Sequence, residues 1–423
     1  MNRTTHSLRA VIVILLAAAG LLTTPGQTAA QESTDRGAPG SWLDTYVGAR
    51  TLGLGGAFVG TADDVSAVLW NPAGLSQLVP NEVHFETARL FEDTSIHSLG
   101  FAVPGRRLPS FAVSVVTLRS GTFERTNELN DPLGTFSDNE IAYFFTMSRS
   151  LTPRLALGLN AKLVQQSVED FSANGFGFDL GGLFDVTPTV RVGASLQNLG
   201  GPNLTLRTAE ESYPVHARVG LAVRVLGGRG LLTAEMDKSG EQSLGLHGGT
   251  EYWVQPMLAL RVGMNQQEPG GGFSYRFANS YQLDYGLSDH ALGMAHRVGI
   301  TYRFGGFFAS AKATPEVFSP TGENAVTKID LNARTKANTQ DWSLALVDKA
   351  NTVVRTYGGQ GVPPAHLLWD GKDQAGLPVA DGTYRYSLVV RDAEGRQIES
   401  PERRLEISTT GPQGAVPVIP LQQ

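Results

Sequence analysis

The stretch Val215-His216-Ala217-Arg218-Val219-Gly220-Leu221-Ala222-Val223-Arg224-Val225 alternates without a break. One set of positions is wholly apolar: Val215, Ala217, Val219, Leu221, Val223 and Val225. The other set reads His216, Arg218, Gly220, Ala222 and Arg224. Successive side chains of a β-strand point to opposite faces, so this spacing predicts a strand with one apolar and one mainly polar face. Neighbouring stretches repeat the pattern. Leu155, Leu157, Leu159, Ala161 and Leu163 oppose Arg154, Gly158, Asn160 and Lys162; Val298, Ile300, Tyr302 and Phe304 oppose Arg297, Gly299, Thr301 and Arg303. Polar faces with several charges suit a wet lumen better than a second dry core.

Fourteen such segments are predicted, near 81–90, 97–104, 109–118, 139–149, 153–168, 175–185, 189–199, 214–225, 230–238, 244–254, 257–265, 272–278, 281–287 and 294–304. Connections after even-numbered segments are short, such as Ser150-Leu151-Thr152 and Gln255-Pro256. Those after odd-numbered segments are generally longer, reaching twenty residues at 119–138 and fourteen at 200–213. Tight turns at one end and long loops at the other are the asymmetry of an outer-membrane barrel. A soluble sandwich also alternates, but fourteen strands would make it unusually large. The fold expected is therefore all-β, a 14-stranded transmembrane antiparallel β-barrel over 81–306. An even strand number puts both barrel ends on the periplasmic, short-turn side. A charge at outward Leu221 should then disturb the barrel more than one at lumen-facing Ala222.

Composition agrees. Glycine is 49 of 423 residues, roughly 12% against about 7% in ordinary proteins. Charged residues make up only 17%, and there is no cysteine, which excludes disulfides, zinc-thiolate sites and thiol nucleophiles. A net charge of -6 gives no global basic footprint, so nucleic acid is not an expected partner. At the N-terminus, Arg3 and Arg9 precede an apolar run from Ala10 to Leu22, and Thr28-Ala29-Ala30 offers small residues for cleavage. Residues 1–30 read as a signal peptide.

Residues 43–80 do not alternate. They run Gly48-Ala49-Arg50-Thr51-Leu52-Gly53-Leu54-Gly55-Gly56-Ala57-Phe58-Val59-Gly60, then Ala62-Asp63-Asp64, then Trp70-Asn71-Pro72-Ala73-Gly74-Leu75. The glycines hint at a phosphate loop, but no Lys-Ser or Lys-Thr follows. Small residues able to pack tightly inside something are the better reading, with Asn71-Pro72 stopping any helix begun at Asp63 or Asp64. On these residues, and on Leu283-Asp284-Tyr285, His296-Arg297-Val298 and Tyr302-Arg303-Phe304, the chain over about 43–306 resembles the PorV/PorQ-type outer-membrane proteins, within the FadL-like long-chain fatty-acid transporter group. The resemblance implies a barrel with an N-terminal plug, or hatch, over 43–80 and makes Asn71, Pro72, Ala73 and Gly74 the plug or gate candidates. It also implies one of two roles: a component of type IX secretion, as shuttle or attachment factor, or a passive channel for hydrophobic molecules.

After Phe307 the composition shifts toward charge and turn residues. Trp342, Leu344 and Leu346 alternate with Ser343, Ala345 and Val347, and Tyr384, Tyr386, Leu388 and Val390 form another face. About a hundred residues of short strands with two tryptophans predict an Ig-like β-sandwich over 315–410, joined by a linker at 307–314. Through Phe318-Ser319-Pro320, Trp369-Asp370-Gly371-Lys372-Asp373 and Val379-Ala380-Asp381-Gly382-Thr383-Tyr384 it resembles the FlgD-type Ig-like domain. Thr321-Gly322-Glu323-Asn324 departs from that family's Asn-Gly-Asp-Gly loop, and Asp370 and Asp373 read as turn residues.

No Gly-x-Ser-x-Gly or His-Glu-x-x-His spacing is present, so no catalytic residue, metal site or cofactor is expected. His216, His247 and His296 are read as inward or rim histidines serving lumen hydrogen bonds. Arg191, Arg218, Arg224, Glu235, Asp237, Glu251, Arg297 and Arg303 share the inward phase and are the lumen-facing candidates. They would cross-link the wall, hold the plug or form a transport site. Expected partners are outer-membrane lipid together with secretion-system or envelope proteins, or else a hydrophobic ligand. The appended domain, expected in the periplasm, favours the structural or secretion role, and the channel is the alternative.

Overall fold

Every alternating segment forms a strand. The computed structural model describes residues 39–409 except 46, 91–92, 106–107, 267, 279, 291–292 and 322–324. The signal peptide expected at 1–30 lies outside them. In chain order the barrel strands are β1 (Asn81–Arg89), β2 (Ser95–Val103), β3 (Ser110–Arg119), β4 (Asp138–Ser150), β5 (Leu155–Val168), β6 (Phe171–Asp185) and β7 (Val190–Leu199). There follow β8 (His216–Val225), β9 (Gly230–Ser239), β10 (Gly245–Gln255), β11 (Leu258–Asn265), β12 (Glu268–Phe277), β13 (Tyr281–His290) and β14 (Gly293–Phe304). Each pairs with its sequence neighbour, and β1 pairs with β14, closing the ring.

The phase is the one the alternation predicts. On β8, Val219 and Leu221 are 49% and 40% exposed, while Arg218 and Ala222 are 4% and 6%. Leu99, Phe145, Leu157, Phe178, Leu232 and Ile300 continue the outward apolar set around the ring. A belt this extensive is far larger than the apolar patches soluble monomers expose, and it suits contact with lipid.

The loop asymmetry is narrower than expected. The strands β6, β12 and β13 outrun their predicted limits, which shrinks the connections after β5, β11 and β13 to two residues each. An antiparallel pair keeps adding ladder bonds until a residue can turn the chain. Glu169 and Gln266 do so with φ of 55° and 48°. Only 120–137 and 200–215 remain long, and each folds its own hairpin: Phe123–Thr126 with Pro132–Phe136, and Asn203–Leu206 with Ala209–Ser212.

Inside the barrel lies the segment ahead of β1. It forms short helices α1 (Ser41–Thr45), α2 (Ala49–Gly53) and α3 (Ala67–Trp70), then a 3-10 helix at Pro72–Gln77. Such short helices leave most of their backbone N–H and C=O groups without an internal partner, so the surrounding wall must supply partners.

The C-terminal unit is a separate compact body. One sheet joins β15 (Phe308–Thr314), β17 (Thr327–Arg334) and β20 (His366–Trp369). The other joins β16 (Val317–Phe318), β23 (Arg403–Ile407), β21 (Gly382–Asp392), β18 (Thr339–Val347) and β19 (Val353–Gln360), with β22 (Gln397–Glu399) on β21. Both sheets contribute to one core, including Ala311, Ile329, Trp369, Leu344, Tyr386 and Leu405. Residues 308–314, read as linker from sequence, are thus a strand. Ala309, Ala311 and Ala313 carry too little apolar area to announce a core face, yet they are buried against it. The Tyr386 hydroxyl accepts from Ala313 N at 2.8 Å, and the Tyr384 hydroxyl donates to Ala380 O at 2.6 Å. Asp373 accepts from Ala375 N and Leu377 N, closing its own turn.

Candidate functional site: the occupied lumen

The internal segment is held by wall side chains aimed at its backbone. Glu86 Oε1 and Oε2 accept from Gly48 N and Ala49 N, each at 2.7 Å, at the start of α2. Glu82 Oε2 accepts from Val65 N at 2.9 Å, and Glu235 Oε2 accepts from Phe58 N and Val59 N at 2.9 and 2.8 Å. Carbonyls are met in the same way. Asn160, Gln197, Thr233 and Ser148 donate to Val68 O, Leu69 O, Ala57 O and Ala73 O. A buried amide or carbonyl left unpaired costs about 1–3 kcal/mol, so these polar wall residues are what make an irregular segment tolerable there.

Close approach needs glycine as well as hydrogen bonds. At Gly158, Gly193, Gly249, Gly263 and Gly286, all facing inward, an added Cβ would fall within 3.0 Å of the segment's backbone. At Gly181 it would strike the Asn71 side chain. These six positions account for part of the unusual glycine content. Asn71 is fully buried. Its Nδ2 donates to Val59 O at 2.9 Å and to Gly182 O at 3.0 Å, while its Oδ1 accepts from Ala73 N at 3.2 Å. Pro72 then opens the 3-10 helix, where its missing N–H is no loss. Ala73 is fully buried, and Gly74 packs against Ala62 and Ala67. Asn71, Pro72 and Ala73 therefore sit at one contact between the internal segment and the wall, while Gly74 packs within the segment.

The charged candidates divide into pairs. Arg218 Nη1 donates to Glu235 Oε1 at 3.1 Å, with its guanidinium 4.5 Å from the Trp70 ring centre. Asp237 takes His216 Nε2 and His247 Nε2, both at 2.6 Å, and His247 Nδ1 lies 3.0 Å from Gly55 O. Glu251 receives Arg50 at 3.0 Å and Arg261 at 2.6 Å. Arg303 pairs with Glu82 at 2.8 Å, and Arg191 with Asp185 at 2.5 Å and with Gln77. Arg224 is looser, 4.0 Å from Asp63. Arg297 is fully buried on the inward face of β14. One sequence expectation fails: His296 lies on the outward face, exposed, 2.8 Å from the Tyr285 hydroxyl, because its neighbours Ala295 and Arg297 hold the inward phase.

Three features escaped the sequence reading. Lys162 and Asp179 form a buried pair at 2.7 Å. Arg261 bridges Glu251 to Asp284, and its phase with Gly263 could have found it. Most consequential, the lumen is not uniformly polar. Ala88, Ile96, Val116, Ala142, Phe144, Val164 and Ala173, from β1 to β6, face inward in the half nearest the odd-numbered connections. They form one cluster with Trp42, Leu43, Val47 and Leu69 of the internal segment and Leu204 and Tyr213 of the long loop. The Tyr213 hydroxyl donates to Glu140 Oε2 at 2.8 Å and accepts from Trp42 Nε1 at 3.3 Å. Burial, with the Glu140 carboxylate second, pushes this phenol well above its ordinary range, so it stays a donor.

The free space follows the same division. Beside Val47, Val65 and Leu69 the cavity is only about 10 Å³, too small for a ligand. About 130 Å³ lies around Thr51, Trp70, His216, Arg218, Asp237 and His247, and about 150 Å³ lies toward the short turns, among arginines.

No family model and no curated protein matches the chain. Solved structures do. The toluene transporter TodX of Pseudomonas putida aligns over 61% of this chain and 98% of its own, at 13% identity and a TM-score of 0.50. A FadL homologue of Pseudomonas aeruginosa aligns over 62% of this chain and 99% of its own, at 12% identity and a TM-score of 0.47. The TodX likeness establishes the shared barrel fold, and neither likeness extends to the full length of this chain.

Proposed function

We propose that this protein is an outer-membrane channel for small hydrophobic compounds, closed by residues 43–80 acting as a plug. The observation that carries the reading is the apolar sector centred on β1 to β6, where wall, plug and long loop converge on one dry cluster that extends to Ala222 and Leu231 on β8 and β9. Purely structural barrels have no need of such a sector, whereas a hydrophobic passenger needs apolar wall at its entry. The TodX fold, found in a toluene transporter, supports this reading over the secretion role. Asn71, Pro72, Ala73 and Gly74 are the gate in it. The test is uptake of a radiolabelled arene by cells producing the protein. Uptake should exceed that of cells with empty vector, and Ala73→Trp should raise it further by loosening the contact at Gly158. Equal rates in all three would refute the channel.

A second reading rests on the C-terminal unit. A PorV/PorQ-type component of type IX secretion would use a FlgD-type, Ig-like domain to hold envelope proteins. Strand parity, with β1 beginning and β14 ending at the short-turn end, favours a periplasmic position for it. Stopping the chain after Gly306 should then abolish crosslinks to envelope partners without affecting barrel insertion. Protease added to whole cells should spare 315–410. Unchanged crosslinks after truncation, or cleavage in intact cells, would remove this reading.

A further inference from the structure

The cavity toward the short turns has an uneven charge balance. Arg50, Arg224, Arg229, Arg276 and Arg303 line its 150 Å³, against Asp63 and Glu251. Two of the five are neutralised in place: Arg50 by Asp63, Asp64 and Glu251, and Arg303 by Glu82. Glu251 is further occupied by Arg261 and by the Trp253 indole N–H at 3.2 Å. The other three arginines are left with little. Arg224 approaches only Asp63, at 4.0 Å, and Arg50 already holds that carboxylate. Arg229 donates to the carbonyls of Trp253 and Val254, at 3.1 and 2.7 Å. Arg276 donates Nε to Gln282 Oε1 at 2.9 Å and lies 3.8 Å from the Trp253 ring centre. Among the described residues, no carboxylate stands within ion-pair distance of Arg229 or Arg276.

These contacts fix where the guanidinium groups sit and leave Nη1 of Arg229 and both terminal nitrogens of Arg276 available as donors. Each guanidinium carries five N–H groups in a planar fork, and that fork matches the oxygens of phosphate and carboxylate. Cations gathered around one concave space repel one another and raise the local concentration of anions. The lining is built rather than incidental, because Trp253 stacks on Arg276 and donates its indole N–H to Glu251.

We propose that this cavity binds a small, doubly charged oxyanion of the phosphate class, held by Arg224, Arg229 and Arg276. The inference rests on the cavity alone and stands apart from the channel reading. The cavity opens at the end where Gly228, Arg229 and Gly230 turn from β8 into β9, so a free anion in solution reaches it from that side.

The test is calorimetric titration of the detergent-purified full chain with inorganic phosphate in low-salt Hepes at pH 7.5. Saturable binding at one site per chain is expected, at least tenfold tighter than acetate. Arg276→Gln should weaken it at least tenfold, and Arg229→Gln should do so independently. Arg154→Gln, which removes an exposed arginine near the same end but outside the cavity, should bind as the parent does. Heat-modified gel migration confirms that each variant retains its barrel. Absence of saturable phosphate binding overturns the proposal. So does parental affinity in both cavity variants, or an equal loss in Arg154→Gln, which would mark only general charge attraction.

Discussion

On β8 of the barrel, Val219 and Leu221 face outward and Arg218 faces inward; on β18 of the C-terminal unit, Trp342, Leu344 and Leu346 face inward and Ser343 outward. Both strands obey the same two-residue period, but on them charged side chains enter only the barrel's interior, beside its apolar cluster. The barrel encloses carboxylates, guanidinium groups and backbone held by directed hydrogen bonds. The C-terminal unit encloses aromatic and aliphatic side chains, with Trp369 edge-on to Phe318 and Tyr384 at 5.6 and 5.4 Å between centres. Alternation thus determines which residues share a face, while the medium outside determines which face is buried. A polar interior is specific because each member needs its partner, and an apolar one is stable because area alone suffices.

The sharpest way to break this contrast is Glu235→Ala. It removes the Glu235 carboxylate from the buried Arg218 guanidinium and leaves the Phe58 and Val59 amides without their acceptor, so a loss of about 3–5 kcal/mol is expected in urea unfolding of the bilayer-refolded protein. A change under 1 kcal/mol would show that the lumen network does not stabilise the barrel. In the C-terminal unit, Leu344→Ala should cost about 2–5 kcal/mol through cavity formation. Calorimetry should assign that loss to a transition that barrel mutations leave unmoved.

Leu221→Arg should cost about 2–4 kcal/mol if it lies near the bilayer midplane. Its neighbour Ala222 should still be the milder site, though not a free one. Ala222 is packed within the lumen cluster, so Ala222→Arg should cost about 1–3 kcal/mol by overpacking, and barrel refolding yield would detect it. The smallest effect concerns pH. Burial, with Arg396 second, pushes the Lys336 ammonium down to about 8 from 10.5. Below pH 8 folded and unfolded chains both carry the proton, and the burial cost is present in full. Above it the unfolded chain holds a proton that the folded one has released, so stability of the C-terminal unit should rise between pH 8 and 9.5. Melting curves should show that rise, and Lys336→Met should flatten it.

The ring of fourteen strands was legible because lipid favours an apolar outward face on the strands, and β8 and β11 display it in full. Strand ends were less legible, since turn residues such as Glu169 and Gln266 look ordinary until their backbone is seen. The charged candidates were found by phase, but their pairing was not. Glu235 and Arg218 are neighbours only through the β8–β9 register, which sets Arg218 across from Asp237 and Gly220 across from Glu235. The apolar sector was missed because Ile96, Phe144 and Val164 occupy inward positions that were expected to be polar. Periodicity cannot reveal that another segment comes in to cover them.

The glycines facing the internal segment have a mechanical consequence. Backbone seated against Gly158, Gly193, Gly249, Gly263 and Gly286 touches strands spread around the ring, so the segment is riveted at many points and cannot slide out as a rigid piston. Trp42 and Leu43 lie ahead of the first of these glycine contacts, at Ala49, so any loosening of the segment would start there.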